Sequence, residues 1–77
     1  MTTPLDIGQA IRRARKAMGL HQRELAAAAG VGLRFLVELE RGKPTVQMDR
    51  VLAVLQAVGL DLQVVRRGDP TSGASAP

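Results

Sequence analysis

Gln22-Arg23-Glu24-Leu25-Ala26-Ala27-Ala28-Ala29-Gly30-Val31-Gly32-Leu33-Arg34-Phe35-Leu36-Val37-Glu38-Leu39 is the stretch on which the fold turns. Its first eight residues are rich in alanine, which favours helix and lets a second helix approach closely. Gly30-Val31-Gly32 interrupts it, and Gly30 can take the left-handed conformation that a tight turn between helices needs. Helical spacing then resumes, with Leu36 and Leu39 on one face, and predicts a helix from Leu33 to Glu40. Small Ala26 and Gly30 fit two helices crossing nearly at right angles, with Leu25, Val31, Leu36 and Leu39 anchoring the second helix on the first. The outward face of the second helix is left free, an arrangement suited to entering a DNA major groove.

Upstream, Ile7, Ile11, Ala14 and Met18 recur at helical spacing and predict a helix from about Ile7 to Met18, with Asp6 as its N-cap and Gly19 as its stop. Residues 1–5 read as a loose lead-in. Downstream, Gly42 and Pro44 break the chain. Thr45 can cap a further helix whose apolar stripe is Met48, Val51, Leu52, Leu55 and Val58, ended by Gly59. Leu60 to Arg67 changes character: Leu62 and Val64 alternate with Asp61, Gln63 and, less cleanly, Val65, and Val64-Val65 favours strand over helix. Residues 68–77 (GDPTSGASAP) have a disordered composition. The domain therefore spans residues 6–67, with a strand over 60–67. The fold class is all-α, a compact bundle of four or five helices with one short C-terminal strand.

The chain is 77 residues long, one small domain. At that size only ~60% of the unfolded surface is buried, so the core is thin. There is no cysteine, tryptophan or tyrosine, one histidine (His21) and one phenylalanine (Phe35). Disulfides, thiolate metal sites and multi-histidine metal sites are excluded, and no cofactor is expected. Hydrophobic residues make up 45% and charged residues 23%, a globular balance. Apolar runs fall short of a membrane span, and no signal peptide opens the chain, so a cytoplasmic protein is expected. Eleven basic residues against seven acidic ones give +4 and a pI near 11.2, which favours a polyanionic partner. An enzyme needs an acid/base pair, an activated nucleophile or a phosphate loop, and no such set is visible. Gly30-x-Gly32 joins two helices and lacks the strand and lysine of a phosphate loop.

Arg15-Lys16-Ala17-Met18-Gly19-Leu20, His21-Gln22-Arg23-Glu24-Leu25-Ala26, Ala29-Gly30-Val31 and Leu39-Glu40-Arg41-Gly42-Lys43-Pro44 together resemble the Cro/repressor-type (XRE) helix-turn-helix family over about Leu5 to Leu60. The resemblance implies a lambda-repressor-like DNA-binding domain. Glu40 to Thr45, then Leu52, Leu55 and Gly59-Leu60 before a short strand, is similar to the HipB-type antitoxins. That narrower likeness implies a strand paired across a homodimer and a co-encoded HipA-type kinase toxin as partner. Two positions depart from the family pattern. His21 stands where Thr, Ser or Asn usually caps the second helix, and neutral imidazole is a poorer cap. Gly32 replaces the usual Ser or Thr cap of the third, removing a hydroxyl that could reach phosphate.

The candidate DNA-binding residues are Gln22, Arg23, Leu33, Arg34, Val37, Glu38, Arg41, Lys43 and Thr45. Arg34 can grip guanine O6 and N7 bidentately, or can be a solvated surface arginine. Leu33 can touch a thymine methyl or pack against Phe35 and the turn. Glu38 can accept from cytosine N4 or hold Arg34 or Arg41 through helical spacing. Phe35 reads as a core or turn-packing residue. Gln22 opens the second helix, whose N–H groups and dipole favour anions, and the resemblance implies a phosphate contact there. It implies the same for Lys43 and Thr45, and Thr45 can cap the fourth helix as well. Arg15 and Glu40 resemble the family's ion pair between the first and third helices. Leu62 and Val64 are the candidate dimerisation residues.

The expected protein is a dimeric repressor on a roughly palindromic double-stranded operator, nucleoid-associated when bound, with no membrane role. It is expected to be the autoregulating antitoxin of a type II toxin–antitoxin operon. The alternatives are a stand-alone XRE-type regulator, or a protein-interaction module that has lost DNA binding.

Overall fold

A computed structural model describes residues 1–66, which form four helices: α1 (Pro4–Ala17), α2 (Gln22–Ala29), α3 (Leu33–Glu40) and α4 (Met48–Ala57). Each helix contributes one side chain that water does not reach: Ile11, Leu25, Leu36 and Val54 are all fully buried. Around these four lie Ala26, Leu39, Val51, Leu55 and Val58, and the half-buried Ile7, Ala14, Val31 and Phe35 close the margins. α1 packs on α3, and α2 packs on both α3 and α4. No helix among the described residues is long and apolar enough to cross a membrane.

The helix ends show why these segments begin and stop where they do. α1 starts at Pro4, inside the stretch expected to be a lead-in, because Thr3 rather than Asp6 is its cap. The Thr3 hydroxyl accepts from the Asp6 N–H at 3.2 Å, and the Asp6 carboxylate accepts from the Thr3 N–H at 3.0 Å. This reciprocal pair satisfies two amides that would otherwise be orphaned. Proline at the first helical position adds a preset φ. α2 starts at Gln22 behind the cap His21, where the Glu24 carboxylate accepts the His21 backbone N–H at 2.8 Å and supports the weak cap. Gly30 ends α2 at φ 71°, and the Val31 N–H reaches back to the Ala26 carbonyl at 3.0 Å. That left-handed step turns the chain toward Gly32 and α3.

Gly8 sets the spacing between α1 and α3. It is buried, and a Cβ there would meet the Leu39 carbonyl oxygen and lie 2.8 Å from that of Glu40. Only hydrogen in that place lets α1 rest on the carbonyl end of α3.

Several expectations are corrected. Met18 is the α1 C-cap and is half exposed rather than part of the apolar stripe. Thr45 does not cap α4; it is exposed, and Gln47 occupies the cap without a side-chain bond. Met48 and Leu52 leave the α4 stripe and face water, while Val54 takes the central place. With ~3.6 residues per turn, Val51, Val54, Leu55 and Val58 share one arc facing the core, and Met48 and Leu52 fall past its edge. The expected strand over 60–67, one that pairs with a second copy, is not seen in the single chain over the described residues 60–66. Leu60 closes α4 through its N–H to the Leu55 carbonyl at 2.8 Å, and 61–66 carry no ladder. A strand is a paired element, and four helices offer it no edge. Arg67 and the tail 68–77 lie outside the described residues.

Candidate nucleic-acid interface

The C-terminal half of α1, the first turn of α2 and the end of α3 meet at one carboxylate. Glu40 Oε2 accepts from Arg15 Nε at 2.7 Å, and Glu40 Oε1 accepts from Arg15 Nη2 at 3.1 Å. Arg15 Nη1 donates to the Leu20 carbonyl at 2.9 Å, in the loop between α1 and α2. Gln22 Nε2 donates to Glu40 Oε1 at 3.1 Å. The Arg15 and Glu40 side chains are 10% and 4% exposed. Taking two charges out of water is costly, and the bidentate fork, with each guanidinium nitrogen and both carboxylate oxygens engaged, is the geometry that offsets it. No buried side-chain polar atom among the described residues lacks a partner.

Gln22 thus has one amide hydrogen committed to Glu40. Its second hydrogen and its carbonyl oxygen remain, at the positive end of α2. It sits between two open clefts. One is lined by Arg15, His21, Gln22, Arg23, Glu24 and Leu33. The other is lined by Arg12, Arg15, Gln22, Val37, Glu40 and Arg41. Arg23 and Leu33 therefore flank Gln22 on one side, and Val37 and Arg41 on the other.

The outward face of α3 has two edges. Leu33 (44% exposed) and the half-buried Val37, one turn apart, border the α2 start. Arg34 and Glu38 form the other edge. Arg34 is almost fully exposed, with its Nε 4.0 Å from Glu38 Oε2. Glu38 Oε1 also accepts from Lys43 Nζ at 3.3 Å, which draws the loop after α3 toward the helix. Glu38 thus holds Arg34 and Lys43, not Arg41. Thr45 is exposed in the same loop, and its side chain makes no hydrogen bond among the described residues. Leu62 lies elsewhere, lining a groove with Ile7, Ala10, Leu55 and Leu60, and Val64 is almost wholly exposed. Phe35 packs against the core margin, with the Arg50 guanidinium 5.9 Å from its ring centre.

Two contributors are absent from the expected set. Arg12 shares the cleft of Gln22 and Arg41 and has no carboxylate partner among the described residues. Its spacing, one turn before Arg15 on the same helix face, was the available signal. Glu24 supports the α2 start, and the signal was its place three residues after the cap.

The helix-turn-helix family HTH_3 matches residues 11–65. An uncharacterized HTH-type transcriptional regulator, y4mF of Sinorhizobium fredii, is 52% identical over 67 residues, covering 87% of this chain and 88% of that protein. Among solved structures, the clp gene regulator ClgR of C. glutamicum is similar at 34% identity and TM-score 0.70, over 80% of each chain. HipB in the HipB-O4 20mer complex is similar at TM-score 0.77 and 19% identity, over 87% of this chain and 94% of its own. HipB in a HipA-HipB-O2-O3 complex matches equally well. At 19% identity the HipB likeness carries the fold alone.

Proposed function

Starting from the premise that the chain belongs to the XRE-type helix-turn-helix family of transcriptional regulators, we propose that it is a sequence-specific DNA-binding repressor acting as a homodimer. The observation that carries this reading is the seating of α3. Its inner side is fixed by Leu36, Leu39 and the Arg15–Glu40 pair. Its outer side leaves Leu33, Arg34, Val37, Glu38 and Arg41 for a ligand, with cations in the two flanking segments. In this reading Gln22, Arg23, Arg41, Lys43 and Thr45 grip phosphates on either side of the groove, and Arg34 reads a base edge. Leu62 and Val64 pair with the same segment of a second copy, covering the apolar groove between α1 and α4. Two α3 helices about 34 Å apart then require a roughly palindromic operator.

The narrower proposal is an autoregulating antitoxin acting in the cytoplasm. HipB, which shares the fold, is found in complex with HipA. A HipA-type toxin encoded beside this protein supports that reading, and a lone reading frame supports a stand-alone regulator. The protein-interaction alternative is separated by salt. A DNA binder that neutralises several phosphates loses affinity steeply as salt rises, and an apolar interaction module does not. Selection from a randomised duplex pool, followed by titration at several salt concentrations, tests both the specificity and the slope. Arg34→Ala is expected to weaken the selected site by ~1–3 kcal/mol and relax one base position. An unchanged preference at every base removes Arg34 from base reading.

A further inference from the structure

We infer that Leu33 and Val37 form an apolar reading edge on α3 that recognises thymine 5-methyl groups, so that each half-site carries methyl-bearing bases beside the phosphate held at the α2 start. The inference rests on the DNA-binding reading proposed above and specifies the chemistry of its ligand. Leu33 and Val37 stand one helical turn apart on the α3 edge that borders Gln22, each lining one of the two clefts that Gln22 divides. Leu33 is 44% exposed, although inward positions at Leu36 and Leu39 are available in the same helix. Neither side chain can donate or accept a hydrogen bond. The base edges of the major groove display donors, acceptors and one apolar group, the thymine methyl. An edge without polar atoms gains most there from that methyl.

The neighbouring edge has the complementary character. Arg34 and Lys43 share Glu38. Arg34 and the loop cation Lys43 thus lie on the side of the loop after α3, whereas Leu33 and Val37 are the apolar members of the clefts on the side of α2, which they share with Gln22, Arg23, Arg12 and Arg41. The two side chains are about 6 Å apart along the helix axis, close to two base-pair steps of ~3.4 Å. The methyls they meet accordingly lie within one or two steps of each other.

The test uses the full chain and the duplex recovered from a randomised pool. Each thymine in the half-site is replaced singly by deoxyuridine, which deletes the methyl and nothing else. Two neighbouring positions are expected to lose about fourfold affinity each, the equivalent of ~0.8 kcal/mol per buried carbon. Leu33→Ala should lose a similar factor on the parent duplex and become indifferent to deoxyuridine at its own position. Val37→Ala should do so at the other position. Because the deoxyuridine series uses the unaltered protein, it stands even if a variant folds poorly. Full affinity for every deoxyuridine duplex overturns the apolar edge while leaving DNA binding intact. A selected half-site without thymine in it overturns the edge equally. Failure to recover any duplex overturns the DNA-binding reading itself.

Discussion

Replacing Glu40 with alanine removes the acceptor of three hydrogen bonds, at 2.7 and 3.1 Å from Arg15 and 3.1 Å from Gln22. Arg15 keeps only its bond to the Leu20 carbonyl. Its guanidinium stays in a pocket where the side chain is 10% exposed. Breaking a buried pair by deleting one partner costs ~3–5 kcal/mol, because the other charge is left desolvated and uncompensated. A domain of 77 residues has a total stability of roughly 4–12 kcal/mol. Glu40→Ala should therefore remove roughly a quarter or more of that stability, and nearly all of it at the lower end of the range. Arg15→Met combined with Glu40→Leu should behave differently, since an apolar pair of similar volume is often neutral or stabilising. That double variant should fold, yet bind DNA weakly because Gln22 has lost its anchor. Urea denaturation followed by far-ultraviolet circular dichroism reads the stabilities of both. A Glu40→Ala variant destabilised by less than about 1 kcal/mol would show that the pair is solvated and that the burial argument is mistaken.

Three further outcomes are expected. Gly8→Ala should destabilise by ~1–3 kcal/mol, since the added carbon meets backbone oxygen rather than a movable side chain; a melting temperature within a degree of the parent's would mean that α1 can shift freely. Lys43→Ala and Arg12→Ala should each lower the slope of log affinity against log salt by about 0.9, whereas Gln22→Ala weakens binding with the slope nearly unchanged; an unaltered slope for Arg12→Ala takes it off the phosphate path. Val64→Pro should shift sedimentation from dimer to monomer and reduce operator affinity, because proline removes a ladder donor; a fully dimeric Val64→Pro variant would place the subunit contact elsewhere.

The turn at Gly30 and the helices around it were legible because local signals agree there: alanine propensity, a glycine that ends α2 in the left-handed conformation, and Leu25, Leu36 and Leu39 at helical spacing. Other features depend on neighbours that spacing cannot see. Thr3 and Asp6 are both good caps, and only their reciprocal bonding decides that the helix starts at the first. Met48 and Leu52 satisfy the same periodicity as Val51 and Leu55, and which pair is buried follows from where α2 lies against α4. Gly8 carries no local signal, since its role is set by the end of α3, more than thirty residues away. At the candidate interface, the motif around Gln22 and Glu40 named residues that the fold brings together. The sharing of Glu38 by Arg34 and Lys43, and the proximity of Arg12 to Gln22 and Arg41, emerge only when helices and loop are assembled.

α3 touches the rest of the protein almost entirely through its back. Leu36, Leu39 and Glu40 are its buried residues, and the outward Leu33, Arg34, Val37 and Glu38 contribute little to holding it in place. In the proposed reading, stability and target choice are thus written on opposite sides of an eight-residue cylinder. A lineage carrying this scaffold can drift to a new binding sequence through a handful of substitutions at those four outward positions without crossing an unfolded intermediate. The same separation makes α3 a replaceable cassette, in which the four outward side chains can be randomised together while the socket beneath them is kept.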